Sequence, residues 1–341
     1  MTPLKIRLKT LTPLWTGGVE AGKVDRIHET GILGSLRWWY EAIVRGLGGK
    51  VCDPTTPSCI YDPDKPDNGL CDVCRVFGAT GWRRRFRLTI LDQTQPDTSS
   101  PKQIGADRPI NPKTNRKPTW WFPDHPRSGN LTIQIQSLAQ DFPAEVIGGL
   151  LQFMADWAAL GARAQMGFGI VEPVSGRIDT RQLYDWLVAT TGSHKNSDPA
   201  LPSLQNLFLA RIQLQHATDQ DTFNLKYDLR QLFAGKKNVD LRHFIMGTVK
   251  GGRMAAKVKV SRPYDGLMRV WGWIPQKANV YQGSWDREAV VNAMHNHLQI
   301  HYNLQVWREI NSPRDTVAPS NSDVQVFLQS LLEIEEEDDA T

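Results

Sequence analysis

No run of 18 apolar residues occurs in the 341-residue chain, so no helix of it is built to cross a bilayer. The start, Met1-Thr2-Pro3-Leu4-Lys5-Ile6-Arg7, alternates charge with hydrophobe and has no signal-peptide core. A cytoplasmic protein with no membrane partner is therefore expected. Gly-Lys-Ser/Thr is absent, which argues against nucleoside-triphosphate chemistry on a Walker loop. Neither a helix-turn-helix nor a two-histidine finger is visible, so a zinc-stabilised DNA-reading module is poorly supported. Cysteine is scarce as well, with four residues, Cys52, Cys59, Cys71 and Cys74, all inside one short stretch.

That clustering is informative. Disulfides are rare in the cytosol, so grouped cysteines point to a metal. Cys71 and Cys74, two residues apart in between, can hold one ion in a tight turn, and Cys52 and Cys59 complete a tetrahedral thiolate set. Such a set selects structural zinc, with an iron–sulfur cluster or free thiols as the alternatives.

The net charge of +4 understates how basic the body is. Six of the 36 acids lie in the final stretch from Glu333, and the rest of the chain carries +10. A basic body with a short acidic tail suits a polyanion-binding protein, although mild basicity also serves solubility.

At this length two domains are the natural expectation. Leu4, Ile6 and Leu8 alternate with Lys5, Arg7 and Lys9, which predicts a half-buried strand with a positive outer face. A helix is expected over about 31–47, with Ile32, Leu33, Leu36, Trp39, Tyr40, Ile43, Val44 and Leu47 on one side. Gly34, Arg37, Trp38, Glu41 and Arg45 fall on the other. An indole on that outer side suits stacking on a base, with Arg37 and Arg45 reaching phosphates. Gly34 and Ser35 leave the first-turn amides open to a phosphate. The bland alternative packs Trp38 under the following segment and pairs an arginine with Glu41.

Residues 48–130 are proline-rich and irregular and read as an insertion. A strand at 131–135 leads to a helix over about 143–160, with Asp141 as its cap, and then to a glycine loop, Gly161 to Gly169, entering a strand at 170–171. A linker at about 190–204 separates the halves. The second half shows alternating Phe208, Ala210, Ile212 and Leu214, a glycine-rich turn at 247–252, a strand ending at Trp273 and a helix over about 286–300. The economical fold class is α+β, as a pair of similar domains. Basic segments recur: Arg83-Arg84-Arg85-Phe86-Arg87, where a strand would align Arg83, Arg85 and Arg87, and Lys250 with Arg253, followed by Lys257 and Lys259. Together they favour nucleic acid over plain surface charge.

Three blocks carry a resemblance. Thr12-Pro13-Leu14-Trp15-Thr16-Gly17-Gly18 with Gly31-Ile32-Leu33-Gly34-Ser35-Leu36-Arg37-Trp38-Trp39-Tyr40 resembles the N-terminal signature of a RAMP-superfamily family, the first Cmr subunits of type III-B CRISPR effector complexes. Cys71-Asp72-Val73-Cys74-Arg75-Val76-Phe77-Gly78 looks like its second signature. Gly161, Arg163 and Gly167-Phe168-Gly169 are similar to the superfamily's glycine-rich loop. The resemblance implies two tandem ferredoxin-like (RAMP) domains: 1–190 with a zinc-binding insertion at about 48–130, and 205–320, followed by a 321–341 segment with the acidic tail. It also implies antiviral defence alongside other Cmr subunits, near the 3′ end of the guide RNA, helping to engage target RNA without catalysis. RNA contact would fall to Arg37, to Arg163 with the Gly167–Gly169 loop, and to the Arg83–Arg87 run. The competing expectation is a RAMP-type ribonuclease using Asp25 or His28, with Lys23 or Arg26 on the phosphate.

Overall fold

In the computed structural model, the described residues are all except 1, 54, 56–57, 106, 108–114, 116, 192–197, 234–238, 250–251, 277–285 and 335–341. The first half comprises strand β1 (Leu4–Thr10), helix α1 (Glu29–Gly46), a short helix α2 (Asp72–Phe77), strand β2 (Phe86–Pro96) and a small hairpin of β3 (Gln103–Gly105) and β4 (Thr119–Trp121). Strand β5 (Arg127–Ser137), helix α3 (Glu145–Trp157), strand β6 (Val171–Pro173) and helix α4 (Arg181–Thr190) complete it. Its main sheet has the order β2-β5-β1-β6, with every pairing antiparallel. The second half repeats the plan with β7 (Leu207–Gln213), α5 (Asp219–Gln231), α6 (Val239–Met246), β8 (Val258–Val260), β9 (Leu267–Trp273), α7 (Arg287–His301) and β10 (Asn303–Arg308). Its sheet runs β10-β7-β9-β8, the same relative order. Both halves are thus ferredoxin-like α+β units.

Period-two patterning builds the first sheet. Ile6, Leu8, Leu88, Leu131, Ile133 and Ile135 point inward and are buried under α1 and α3. The stretch 48–130 is not one insertion. Strand β2 lies within it and runs eleven residues in register with β5, from Phe86 opposite Ser137 to Pro96 opposite Arg127. The segments that leave the sheet are the cysteine-bearing 48–85 and the β3–β4 hairpin. Helix α3 starts at Glu145, with Ala144 as its N-cap, and Asp141 instead pairs with Arg85 at 2.6 Å.

The two halves are clamped by arginines. Arg269 of β9 is buried and donates to the carbonyls of Ala155 at 2.6 Å and Ala158 at 3.0 Å, orphan acceptors at the end of α3. Arg211 of β7 donates to Asp156 O at 2.9 Å and lies over the Trp157 ring. A last helix, α8 (Val324–Leu332), returns to the first half, where Phe327, Leu328, Leu331 and Leu332 join the core. Trp157 and Thr180 donate to its final carbonyls, Leu331 O and Leu332 O. Among the described residues no helix is long and apolar enough to cross a membrane.

Candidate nucleic-acid interface and metal site

Helix α1 is solvent-open on its outer side only near its start. Glu41 and Arg45, read as outward-facing, are 4% and 3% exposed. Part of the cover comes from far along the chain: Arg45 donates to Pro202 O at 3.1 Å, as well as to the nearer Cys52 O at 3.4 Å, with Glu41 at 3.6 Å. Arg45 is therefore a structural residue, out of reach of RNA. Arg37 is partly exposed but held on three sides, by Glu41 at 2.9 Å and by Gly78 O and Cys74 Sγ, each at 3.3 Å. For these two arginines, pairing with Glu41 prevails.

Trp38 differs. It packs edge-on against Trp39 and borders a pocket of about 360 Å³ where the halves meet. Gly31, Gly34 and Ser35 of α1 line one side, Gly161 and Ala164 another, and Lys259 and Trp271 of the second half close it. Among the described residues nothing stands over Gly34. The Lys259 ammonium sits 5.3 Å from the Trp38 ring, and burial, then the neighbouring Lys257 ammonium, pushes its pKa down to about 8. Helix α1 begins at Glu29, so Gly34 and Ser35 lie in its second turn, and their amides are not the open first-turn donors the sequence suggested. What remains is a half-buried indole beside a cation, which is suited to stacking a base and meeting its phosphate. Lys259 was only one of several basic residues in the sequence, and Trp271 carried no local signal at all.

The glycine loop shapes this pocket rather than exposing itself. Gly161 and Gly169 have φ of 78° and 96°, and a Cβ on either would collide with a backbone carbonyl, Trp15 O and Leu160 O respectively. Gly161 N donates to Ser35 Oγ at 3.1 Å, so Ser35 anchors the loop. Gly167 O accepts from Arg262 N at 3.0 Å, which ties the loop to the second half. Phe168 is fully buried and stacked on Trp15, a core residue rather than a base platform. Arg163, in the left-handed region, lies with its guanidinium 3.8 Å from the Trp15 ring centre.

The basic run does not form an aligned stripe, because β2 begins only at Phe86. Arg84 donates to Phe86 O at 2.8 Å, Arg85 is paired with Asp141, and Arg83 and Arg87 are exposed. Arg253 is exposed, and Lys250 lies outside the described residues.

The four cysteines converge. Their sulfurs lie within 4.8 Å of one another, and Cys52 Sγ and Cys74 Sγ are 3.6 Å apart. That is beyond a disulfide bond and close to the edge of about 3.8 Å that a thiolate tetrahedron with 2.3 Å bonds would have. Cys71 caps α2 and its sulfur accepts from Cys74 N at 3.4 Å, while Cys59 Sγ accepts from Cys71 N at 3.3 Å. Hydrogen bonds from Cys52 and then Cys74 hold the Cys71 thiol below its ordinary range, and Cys52 is pushed above it, first by that bond to Cys71. One cation would let all four ionise. The set fits a metal ion.

Asp25 and His28 form a pair at 2.8 Å, and that bond keeps the Asp25 carboxyl below its usual range. The cations proposed for a phosphate are engaged: Lys23 with Glu20 at 2.5 Å, Arg26 with Glu29 at 3.0 Å.

The duplicated ferredoxin-like fold, with a cleft between its halves and a thiolate cluster beside α1, defines the class of protein. Residues 7–172 match the model of the RAMP superfamily. In fold the chain is similar to Cmr1 from Pyrococcus furiosus in its apo form, over 89% of this chain and 98% of that one, with 13% identity and a TM-score of 0.51. A chain of the type III-B Cmr-beta complex bound to cognate target RNA and AMPPnP, in the presence of ssDNA, matches over 87% of this chain and 99% of its own, with 11% identity and a TM-score of 0.47. No curated protein matches the chain by sequence.

Proposed function

We propose that the chain is a non-catalytic RNA-binding subunit of a type III-B Cmr antiviral effector, placed near the 3′ end of the guide RNA and helping to engage target RNA beside other Cmr subunits. The observation that carries the reading is the cleft in which Trp38 and Lys259 meet under the glycine loop. The match to the RAMP superfamily and the likeness in fold to Cmr1 support it. The ion held by the four cysteines is zinc, bound structurally because no ligand position stays open. The engaged partners of Asp25, His28, Lys23 and Arg26 favour this reading over a ribonuclease.

The test is single-stranded RNA binding by Trp38→Ala, followed by fluorescence anisotropy at fixed salt. Loss of one stacked base, about 1–3 kcal/mol, weakens binding roughly 5- to 150-fold. Unchanged affinity would remove the cleft from the interface.

A further inference from the structure

The two sheets are alike in order but not in surroundings. The outer face of the second is covered: Leu207, Leu209 and Trp271 pack into the core of the first half, while Phe208, Ala210 and Ile212 serve the second. The outer face of the first sheet is open, and it lies across that sheet from α1 and the cleft.

Register defines what the open face presents. Lys5 stands beside Gln134, Arg7 beside Thr132 and Lys9 beside Asn130, with Thr89, Leu91 and Gln93 one strand further on, and Arg87 stands beside Gln136. Four cations occupy the face against one acid, Glu172, which pairs with Lys9 at 3.2 Å. The face is thus richer in cations than the chain as a whole, which has 40 basic residues against 36 acidic. Among the described residues no carboxylate pairs with Lys5, Arg7 or Arg87. Between the cations run amides and hydroxyls, which can bond to phosphate and ribose oxygens. Lys5, Arg7 and Lys9 are alternate residues of one strand, about 6.8 Å apart. That spacing is of the order of the separation of successive phosphates in an extended strand.

We propose that this open face is a second docking surface, for the sugar-phosphate backbone of single-stranded RNA. The face binds without reading bases, because it carries no aromatic side chain on which one could stack. A protein partner suits it less. Protein interfaces centre on apolar and aromatic side chains and are poor in lysine, and the two exposed hydrophobes here, Leu91 and Val174, flank Arg7 and Thr132 from opposite sides. The proposal shares with the cleft reading only the identity of the ligand.

The experiment uses the full chain with Lys5, Arg7 and Arg87 all changed to Gln, and an oligouridine probe titrated at several salt concentrations. The positions are exposed, so the far-ultraviolet circular dichroism should match wild type. Each phosphate contact contributes about 0.7 to the slope of log K against log salt. The triple variant should therefore lose about 2 units of slope and bind on the order of 50-fold more weakly at 0.15 M salt. An unchanged slope in the triple variant, with Trp38→Ala still impaired, overturns the sheet surface and leaves the cleft. A flattened slope with Trp38→Ala at wild-type affinity supports the surface and removes the cleft. Loss of assembly with other subunits, at an unchanged RNA slope, assigns the face to protein and also overturns the proposal.

Discussion

Lys259 makes RNA affinity depend on pH in a way that can be worked out beforehand. In the free protein its ammonium titrates near 8, because the cleft wall desolvates it. A phosphate placed beside it would restore the charged form and return the pKa toward its ordinary 10.5. Above pH 8 the RNA-bound protein then holds more protons than the free protein, so binding takes up a proton and weakens as pH rises. With those two values, affinity changes little below pH 7 and falls about tenfold between pH 7 and pH 9. The assay is anisotropy with an RNA probe at constant ionic strength. Lys259→Gln should bind weakly at every pH with a flat profile, since the titrating group is gone. Lys257 is also pushed down to about 8 by burial, and its charge helps depress Lys259, so Lys257→Met should raise the Lys259 pKa and move the fall in affinity to higher pH. A wild-type affinity level across pH 7–9, or the same slope in Lys259→Gln, would refute the placement of phosphate at this lysine.

Metal analysis of the purified protein should find about one zinc per chain, and Cys71→Ser should speed hydrogen exchange in 48–82 before it affects the sheets, because all four ligands are local. Asp25→Ala and His28→Ala should leave target-RNA cleavage by a reconstituted effector within a few-fold of wild type. Removal of a general acid or base slows such a step roughly 10²–10⁴-fold, so a hundredfold loss in assembled complexes would restore the nuclease reading. Arg269→Met should cost about 3 kcal/mol of stability in urea unfolding, as two short charge-assisted bonds to α3 carbonyls are lost. A midpoint equal to wild type would show the clamp to be dispensable.

What the sequence revealed was whatever neighbouring residues decide. The alternation through Leu4, Ile6 and Leu8 announced β1, and the stripe from Ile32 to Val44 announced α1. The thiolate cluster was legible because its ligands lie within 23 residues. Strand β2 had its signal too, in Phe86, Leu88 and Ile90, but the arginines before it and the prolines around it hid the alternation. Glu41 and Arg45 could not be read as buried, since Pro202 and Cys52 supply the cover. Lys259 and Trp271 reach Trp38 only once the halves dock, and no pattern inside either half reports docking.

Docking also explains why one duplicated unit can present two unlike surfaces. A helix end leaves carbonyls without partners. In the first half those of α3 are satisfied by Arg269 and Arg211, which belong to strands of the second sheet. Meeting that need requires the second sheet to lie against the end of α3, and its outer face is buried as a result. The same approach brings Lys259 over Trp38 and seats Arg262 N on Gly167 O, so the cleft and the interface form together. The first sheet faces away from this contact, and none of the described residues covers its outer face. Its polar, cationic residues are what an uncovered sheet needs in order to remain in water. They are also what a polyanion would meet, and the salt slope separates the two roles.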